Sequence, residues 1–365
     1  MITKSLFRCI CISVLANVYL FQTSVAQPIV HSTWYDDSQT QIKEKYEAFI
    51  FGMDTIKDGK YTFFFRSGQK HQEGLFSEGK LTGVWEVFSE YGSLTSTYTY
   101  DDGMKQGEFV GYYPDGSKRQ SGNFISNLKS GSFYTWDENG GLLEIARYKN
   151  DTLHGIHETY WPNSGKLGVK ITYNMGVPDG LYEFYHDNGV INYRGNKLGD
   201  SFTDTLKVYD PNANLMRVCF YKDGKIEGKF ISYYPDGQTQ TLCYYKAGSI
   251  EGDFVEYFEN GNIAQKGKYK NDQKYGVWEG FYPDGELFSR GSFCEGKLCG
   301  SWIIYYPDGK IKQNSIYSEG KANGELKLYY ENGNIQAVGL YFDDIRSGEW
   351  KFYNENGVLI DTKNY

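Results

Sequence analysis

Apolar positions recur along this chain at a fixed interval. From Gly59 onward a glycine returns every 24 residues, at Gly83, Gly107, Gly131, Gly155, Gly180, Gly228, Gly252, Gly276, Gly300, Gly324 and Gly348, with one step of 25 and one of 48 that Asp204 divides. Numbering each of these residues as position 1 defines 13 units, the last of which reaches Tyr365. Position 6 is aromatic in every unit, from Phe64 to Tyr353. Position 18 is aromatic in all but one unit, where Lys197 stands, once the extra residue of the 25-residue step is allowed for at Tyr173, and position 12 is mostly Leu or Ile, as in Leu142, Ile191, Ile263 and Ile335. Position 3 adds a third aromatic column, including Tyr61, Trp85, Phe133, Trp278, Trp302 and Trp350. Short apolar stretches bounded by turn residues predict strands, and a constant period predicts a repeat architecture.

The turns are legible in the same pattern. "YPDG" stands at residues 113–116, 234–237, 282–285 and 306–309. Pro at the second turn position presets φ, and the closing Gly accepts the left-handed conformation of a type I turn with a G1 bulge. A second turn, "DGK" at 223–225 and "EGK" at 295–297 and 319–321, leads into the next unit. Each unit is therefore a β-hairpin. Uninterrupted pairing predicts positions 6, 12 and 18 on one face and position 3 on the other, unless a bulge intervenes.

The run "GKYKNDQKYGVWEGFYPDG" (267–285) resembles the MORN repeat, in its bacterial variant, and the resemblance extends over residues 59–365. It implies an all-β fold: an elongated single-layer antiparallel sheet of about 13 tandem 24-residue hairpins. At ~4.8 Å per strand, such a ladder would extend on the order of 120 Å. Departures gather in the Asp204 unit, which has Ala213 where its turn wants Gly, and at "NKLGDSF" (196–202), so pairing is least secure there. A β-propeller of 48-residue blades is the competing architecture, but nothing in the chain alternates with that period.

Composition agrees with a turn-rich, strand-rich chain: 43 Gly, 34 Tyr and 23 Phe against eight Pro in 365 residues. Residues 1–26 are expected to be a signal peptide. Lys4 and Arg8 precede the apolar run "CICISVLANVYLF", and "SVA" offers small residues near a cleavage site before Gln27. The run is shorter than the ~20 residues a membrane-spanning helix needs, and Cys9 stands at its start, not at its end where a lipoprotein cysteine would lie. Removing two cations takes the net charge from −8 to −10, which disfavours nucleic acid and anionic membrane surfaces as partners. Residues 27–58 admit two forms. One is a helix over 38–53 capped by Ser38 and Gln41, the other a degenerate repeat with a strand at 42–49.

Chemistry-bearing groups are sparse. There is no GxSxG elbow, phosphate-binding loop or HExxH helix, so neither enzymatic activity nor a cofactor is expected. Asp151, His154 and His157 cluster near one turn, but His157 occupies the aromatic position 3 of its unit and no metal is assigned. Asp or Asn recurs at position 9 in 11 units, from Asp115 to Asn356, as turn backbone requires without any cation. Cys294 and Cys299 flank "EGKL" and form a candidate disulfide. Cys219 and Cys243 both lie at position 16 of adjacent units, two strands apart and out of bonding reach.

The binding candidates are the position-6 rings Tyr112, Tyr160, Tyr185, Tyr209, Tyr233, Tyr257, Tyr305, Tyr329 and Tyr353, an aromatic ladder able to meet a protein or glycan. The functional expectation is an exported, non-enzymatic scaffold in the periplasm, cell envelope or extracellular space, with the partner's identity and the oligomeric state open. The resemblance itself implies two alternatives: an antitoxin-like protein that neutralises a partner, and lipid-surface binding as in eukaryotic MORN proteins.

Overall fold

The computed structural model describes residues 27–365; the expected signal segment 1–26 lies outside them. The described residues form 29 strands and no helix, and the strand pairs are antiparallel. They divide into two compact units, one of residues 27–92 with 100–103, the other of residues 93–99 with 104–365. In the smaller unit, residues 27–58 take neither helix nor loop as their main form: Ile29–Trp34 and Ile42–Phe51 are strands, and the second pairs with Asp54–Phe64. In the larger unit the strands pair in chain order, with Thr152–Leu153 and Gly155–Tyr160 both set against Leu142–Lys149, down to Leu359–Asn364 against Ile345–Tyr353. The Asp204 unit pairs as the others do, Asp204 opposite Tyr221 and Leu206 opposite Cys219.

Two kinds of turn alternate. In the first, Gly116 donates to the Tyr113 carbonyl (2.9 Å) and Tyr113 to that of Ser117 (2.8 Å), with Gly116 at φ 88°. In the second, Asp223 and Gly224 both have positive φ, at 51° and 73°, between the paired Lys222 and Lys225. Two consecutive left-handed residues are the two-residue hairpin turn whose twist matches that of the strands.

Bulges correct the expected faces. In the Gly300 hairpin Tyr305 faces Ile311, but Ile304 already faces Gln313, so Lys312 is an extra residue. Each extra residue reverses the alternation. Positions 12 and 18 therefore do not keep a common face. Tyr317, at position 18, pairs with Gly300 on the face of Trp302, whereas Tyr305 stands on the opposite face. Position 3 is thus the partner of position 18, and position 6 is not.

A second bulge explains the marker glycine. Cys219 pairs with Phe230 and Tyr221 with Ile226, leaving three residues centred on Gly228 opposite the single Phe220. Gly228 has φ 72° and its equivalent Gly324 has φ 134°, conformations that a Cβ disfavours. Asp204 holds the same place at φ 64°, and Ala213 substitutes for the turn glycine of that unit at φ 70°.

The core is one row of residues running across the strands, in which position 3 alternates with position 16. Cys219, Phe230, Cys243, Phe254 and Gly267 lie opposite one another in succession, followed by Trp278, Gly291, Trp302 and Ser315. A Cβ added to Gly267, Gly291 or Gly339 would fall inside the indole of Trp278, Trp302 or Trp350, so each ring lies flat on bare backbone. The smaller unit repeats the device with Trp85 over Gly74.

Neighbouring groups close the remaining sides. Tyr269 and Phe293 stand edge-on to Trp278, at centroid distances of 5.2 and 6.1 Å, and Lys274 lies over its face at 3.8 Å. Its indole N–H donates to the Lys268 carbonyl (3.1 Å). Trp278 is left 2% exposed in a sheet with no second layer. Lys57 does the same for Tyr61, Lys105 for Tyr98 and Phe124, and Arg346 for Trp350. Burial holds the ammonium pKa of Lys274 and of Lys105 below the ordinary lysine value.

Successive hairpins are also joined by side chains at the turns. Tyr234, Tyr282, Tyr306 and Tyr330, at position 7, each donate a phenol proton to the backbone carbonyl of position 6 in the next unit, at 2.7–2.9 Å. Asn188, Asn260 and Asn332, at position 9, donate to the carbonyl of position 8 in the next unit.

Two outcomes follow for stability. Gly267→Ala is expected to cost about 1–3 kcal/mol by overpacking and to lower the melting temperature; in a Trp278→Leu background the same change should cost far less, the difference being read as a double-mutant cycle. Tyr306→Phe, which deletes one inter-unit bond, should lose about 0.5–1.5 kcal/mol, whereas Tyr305→Phe, one residue earlier, should leave the melting temperature within error.

Candidate interaction surface

The two faces of the sheet in the larger unit are chemically unequal. One carries the row just described, sealed by its own rings and by lysine and arginine stems. The other carries positions 2, 4, 6, 15 and 17, and there the side chains follow no size rule. Position 4 and position 15 face each other in a row that reads Lys170, Glu183, Arg194, Lys207 in one stretch and Lys266, Glu279, Arg290 in another. Glu183 is buried, held by Arg194 (3.2 Å) and by the Tyr185 phenol (2.9 Å). Glu279 pairs with Lys266 (3.0 Å) and Arg290 (3.5 Å).

The nine tyrosines at position 6 belong to this second face, each half-buried. They do not form a stacked ladder. Among the described residues no other ring packs against Tyr112, Tyr160, Tyr185, Tyr209, Tyr233, Tyr257, Tyr305, Tyr329 or Tyr353, because consecutive position-6 residues are two strands apart and aliphatic position-12 residues such as Ile263, Ile311 and Ile335 lie between them. What the sequence reading missed is the residue that follows each of them. Where that residue is a second Tyr, as at Tyr113, Tyr234, Tyr306 and Tyr330, it is the inter-unit donor, and the doublet before the turn was the available signal. The Tyr185 phenol is pushed up to about 12, first by burial and then by its bond to Glu183.

The cysteines divide into two kinds. Cys294 and Cys299 are joined in a disulfide across the Glu295-Gly296 turn, with Cα atoms 5.8 Å apart. Cys219 and Cys243 are free and buried, with Phe230 paired between them. Burial pushes the Cys243 thiol up to about 11, the opposite of the low value a nucleophilic thiolate needs.

Asp151, His154 and His157 are not brought together. The Asp151 carboxylate accepts the Lys129 backbone N–H, and His157 Nε2 lies 2.7 Å from Glu144. Among the described residues no cluster of three or more His, Cys, Asp or Glu side chains has a metal-holding arrangement. Seven of the eleven position-9 side chains accept a backbone N–H of their own turn, as Asp115 does from Ser117 (2.9 Å) and Asn332 from Asn334 (2.9 Å), whereas in the turns of Asn139, Asn212 and Asn356 the acceptor is Asp137, Asp210 or Asn354 at position 7. Such a surface offers shape, half-exposed rings and paired charges, which suit the recognition of another molecule.

Comparison with known proteins bears on the repeat alone. The model of the MORN repeat variant matches residues 129–150, 178–196, 226–247, 250–271, 274–295, 298–319, 322–343 and 346–365. No curated protein matches the chain. Solved structures similar to it include a TcdB2–TccC3–Cdc42 crystal structure, at 11% identity and a TM-score of 0.17, over 91% of this chain and 23% of that one. Another is the pore of a Photorhabdus luminescens Tc holotoxin, at 11% identity and a TM-score of 0.17, over 92% and 23%. The chain thus spans about a quarter of the length of these structures, and superpositions of that quality do not amount to a shared fold. The eight matched copies, each coinciding with strands of the paired hairpin ladder, show that the chain belongs to the MORN repeat variant family.

Proposed function

We propose that the chain is an exported, non-enzymatic repeat scaffold that presents one face of its sheet to a protein or glycan partner in the cell envelope. The observation that carries this reading is the inequality of the faces. Rings, glycines and lysine stems of one face are committed to holding hairpin to hairpin, while the other keeps half-exposed tyrosines and unconstrained side chains. Turns of two and four residues support a binding role, because catalytic groups generally sit on longer loops around a water-excluding cleft. The net charge of −8 favours partners other than nucleic acid or an anionic membrane. Export is supported by the charged, apolar and small-residue order of the first 26 residues.

The test is fractionation of cells expressing the tagged chain, followed by intact mass and N-terminal sequencing. The expected product starts at Gln27, is found outside the cytoplasm, and is cross-linked there to a defined partner. An unprocessed chain confined to the cytoplasm would refute the proposal.

A further inference from the structure

The row of positions 4 and 15 is charged or mixed along most of the larger unit, but in one place it changes character. Val218, Ile231, Leu242 and Val255 lie opposite one another on four consecutive strands. Elsewhere among the described residues of this row, no more than two adjacent positions are apolar: Tyr134 and Ile145 pair, while Ile303 stands between Arg290 and Asn314. The four aliphatic side chains are half-buried, and Phe220 and Tyr244 beside them are 40% and 41% exposed. Two shallow hollows open here, one bounded by Val218, Phe220 and Ile231, the other by Leu242, Tyr244 and Val255. Contiguous apolar surface rimmed by polar groups marks a site of association.

The charges around the strip indicate what would cover it. Its carboxylates are engaged within the sheet: Glu227 accepts the Ala247 N–H (2.6 Å), Asp253 pairs with Lys268 (3.4 Å), and Glu279 pairs with Lys266 and Arg290. Lys207, next to Val218 in the row, and Lys229, opposite Tyr244, are exposed and have no carboxylate within ion-pair distance among the described residues. Glu227 keeps its charge, but Lys207, Lys229, Lys266 and Lys268 outnumber Glu227, Asp253 and Glu279, so on a chain of net charge −8 the charge at this strip is positive.

We propose that the strip from Val218 to Val255 is the docking surface for an acidic amphipathic segment of a partner protein, its apolar side on Ile231 and Leu242 and its carboxylates on Lys207 and Lys229. This rests on the scaffold function proposed above and narrows it to one face, one set of strands and one partner chemistry. Electrostatic complementarity of this kind sets partner choice, while the desolvated aliphatic centre supplies affinity.

The test uses the purified chain and two fluorescein-labelled peptides of about 18 residues, one of Leu and Glu and one of Leu and Lys at the same amphipathic spacing, read by fluorescence anisotropy. The Leu/Glu peptide is expected to bind saturably and at least about tenfold more tightly than the Leu/Lys peptide. Ile231→Lys with Leu242→Lys should abolish that binding, Lys207→Glu with Lys229→Glu should reverse the preference, and Lys327→Glu with Lys351→Glu, elsewhere in the row, should change neither. Unaltered tryptophan emission establishes that each variant is folded, and the charge-reversal pair decides the matter if the lysine pair is not.

Equal affinity for the two peptides, no saturable binding, or retention by the folded lysine pair would overturn the proposal. So would a concentration-dependent dimer, detected by light scattering, that the lysine pair dissociates, since a second copy would then be the occupant. Capture of the same envelope partner by wild type and by the lysine pair would leave the scaffold function standing and remove the strip from it.

Discussion

A sheet one layer thick has no opposing layer to bury its large side chains, so each aromatic ring must find cover within its own row. The fit between a ring at position 3 and a residue with almost no side chain at position 16 meets that constraint. Trp278 lies on Gly267 and Trp350 on Gly339, Phe230 and Phe254 are set against Cys219 and Cys243, and Leu326 is set against Ser315. In each case a large side chain lies against a small one, and the same large residue can stand between two different small ones, as Trp302 does between Gly291 and Ser315. Close packing of this kind is sensitive to single methylene groups, which makes the pair, and not the ring alone, the unit of construction. Each position-3 residue meets a position-16 residue on both flanking strands, so the row transmits the fit from hairpin to hairpin, as nearest-neighbour stabilisation of a repeat array requires.

The sequence made the period, the hairpins and both turn types readable, because each depends on residues with distinctive backbone preferences: Gly, Pro, Asp and Asn. The faces were not readable, since a bulge is a property of pairing. Nothing about Lys312 announces that it will be the extra residue opposite Tyr305, yet that one insertion moves Tyr317 to the face of Trp302. The marker glycines were visible as a count, and their reason, positive φ in a wide bulge at Gly228 or Gly324, came only with the ladder. The column of small residues at position 16 was also in plain view. A reading tuned to large apolar residues passes over the glycines that make room for them.

The same bias affected the candidate site. Tyr305 and Tyr306 are alike in the sequence, but only the second has its phenol tied to the next unit, by donation to the Tyr329 carbonyl. Position 6 is aromatic in all 13 units without any ring-to-ring contact among the nine tyrosines singled out. Their half-buried rings flank the row of positions 4 and 15 on the face that does not hold the array together.

That division of labour bears directly on how such a protein acquires a partner. Residues at positions 1, 3, 10, 16 and 18 are constrained by φ or by the fit of a ring, and a change at position 3 or 16 meets neighbours on both flanking strands. Positions 4 and 15 carry no such restriction. Along one row they hold Glu183 with Arg194, then Val218 to Val255, then Glu279 with Arg290, over the same backbone and the same hairpin stride. Charged pairs in such a row contribute little to stability when exposed, and aliphatic ones gain little while water still reaches them. Neither choice is dictated by the fold, so the composition of this row is free to be set by whatever lies against it, and a four-strand aliphatic interruption in a charged row is best accounted for by contact with another surface.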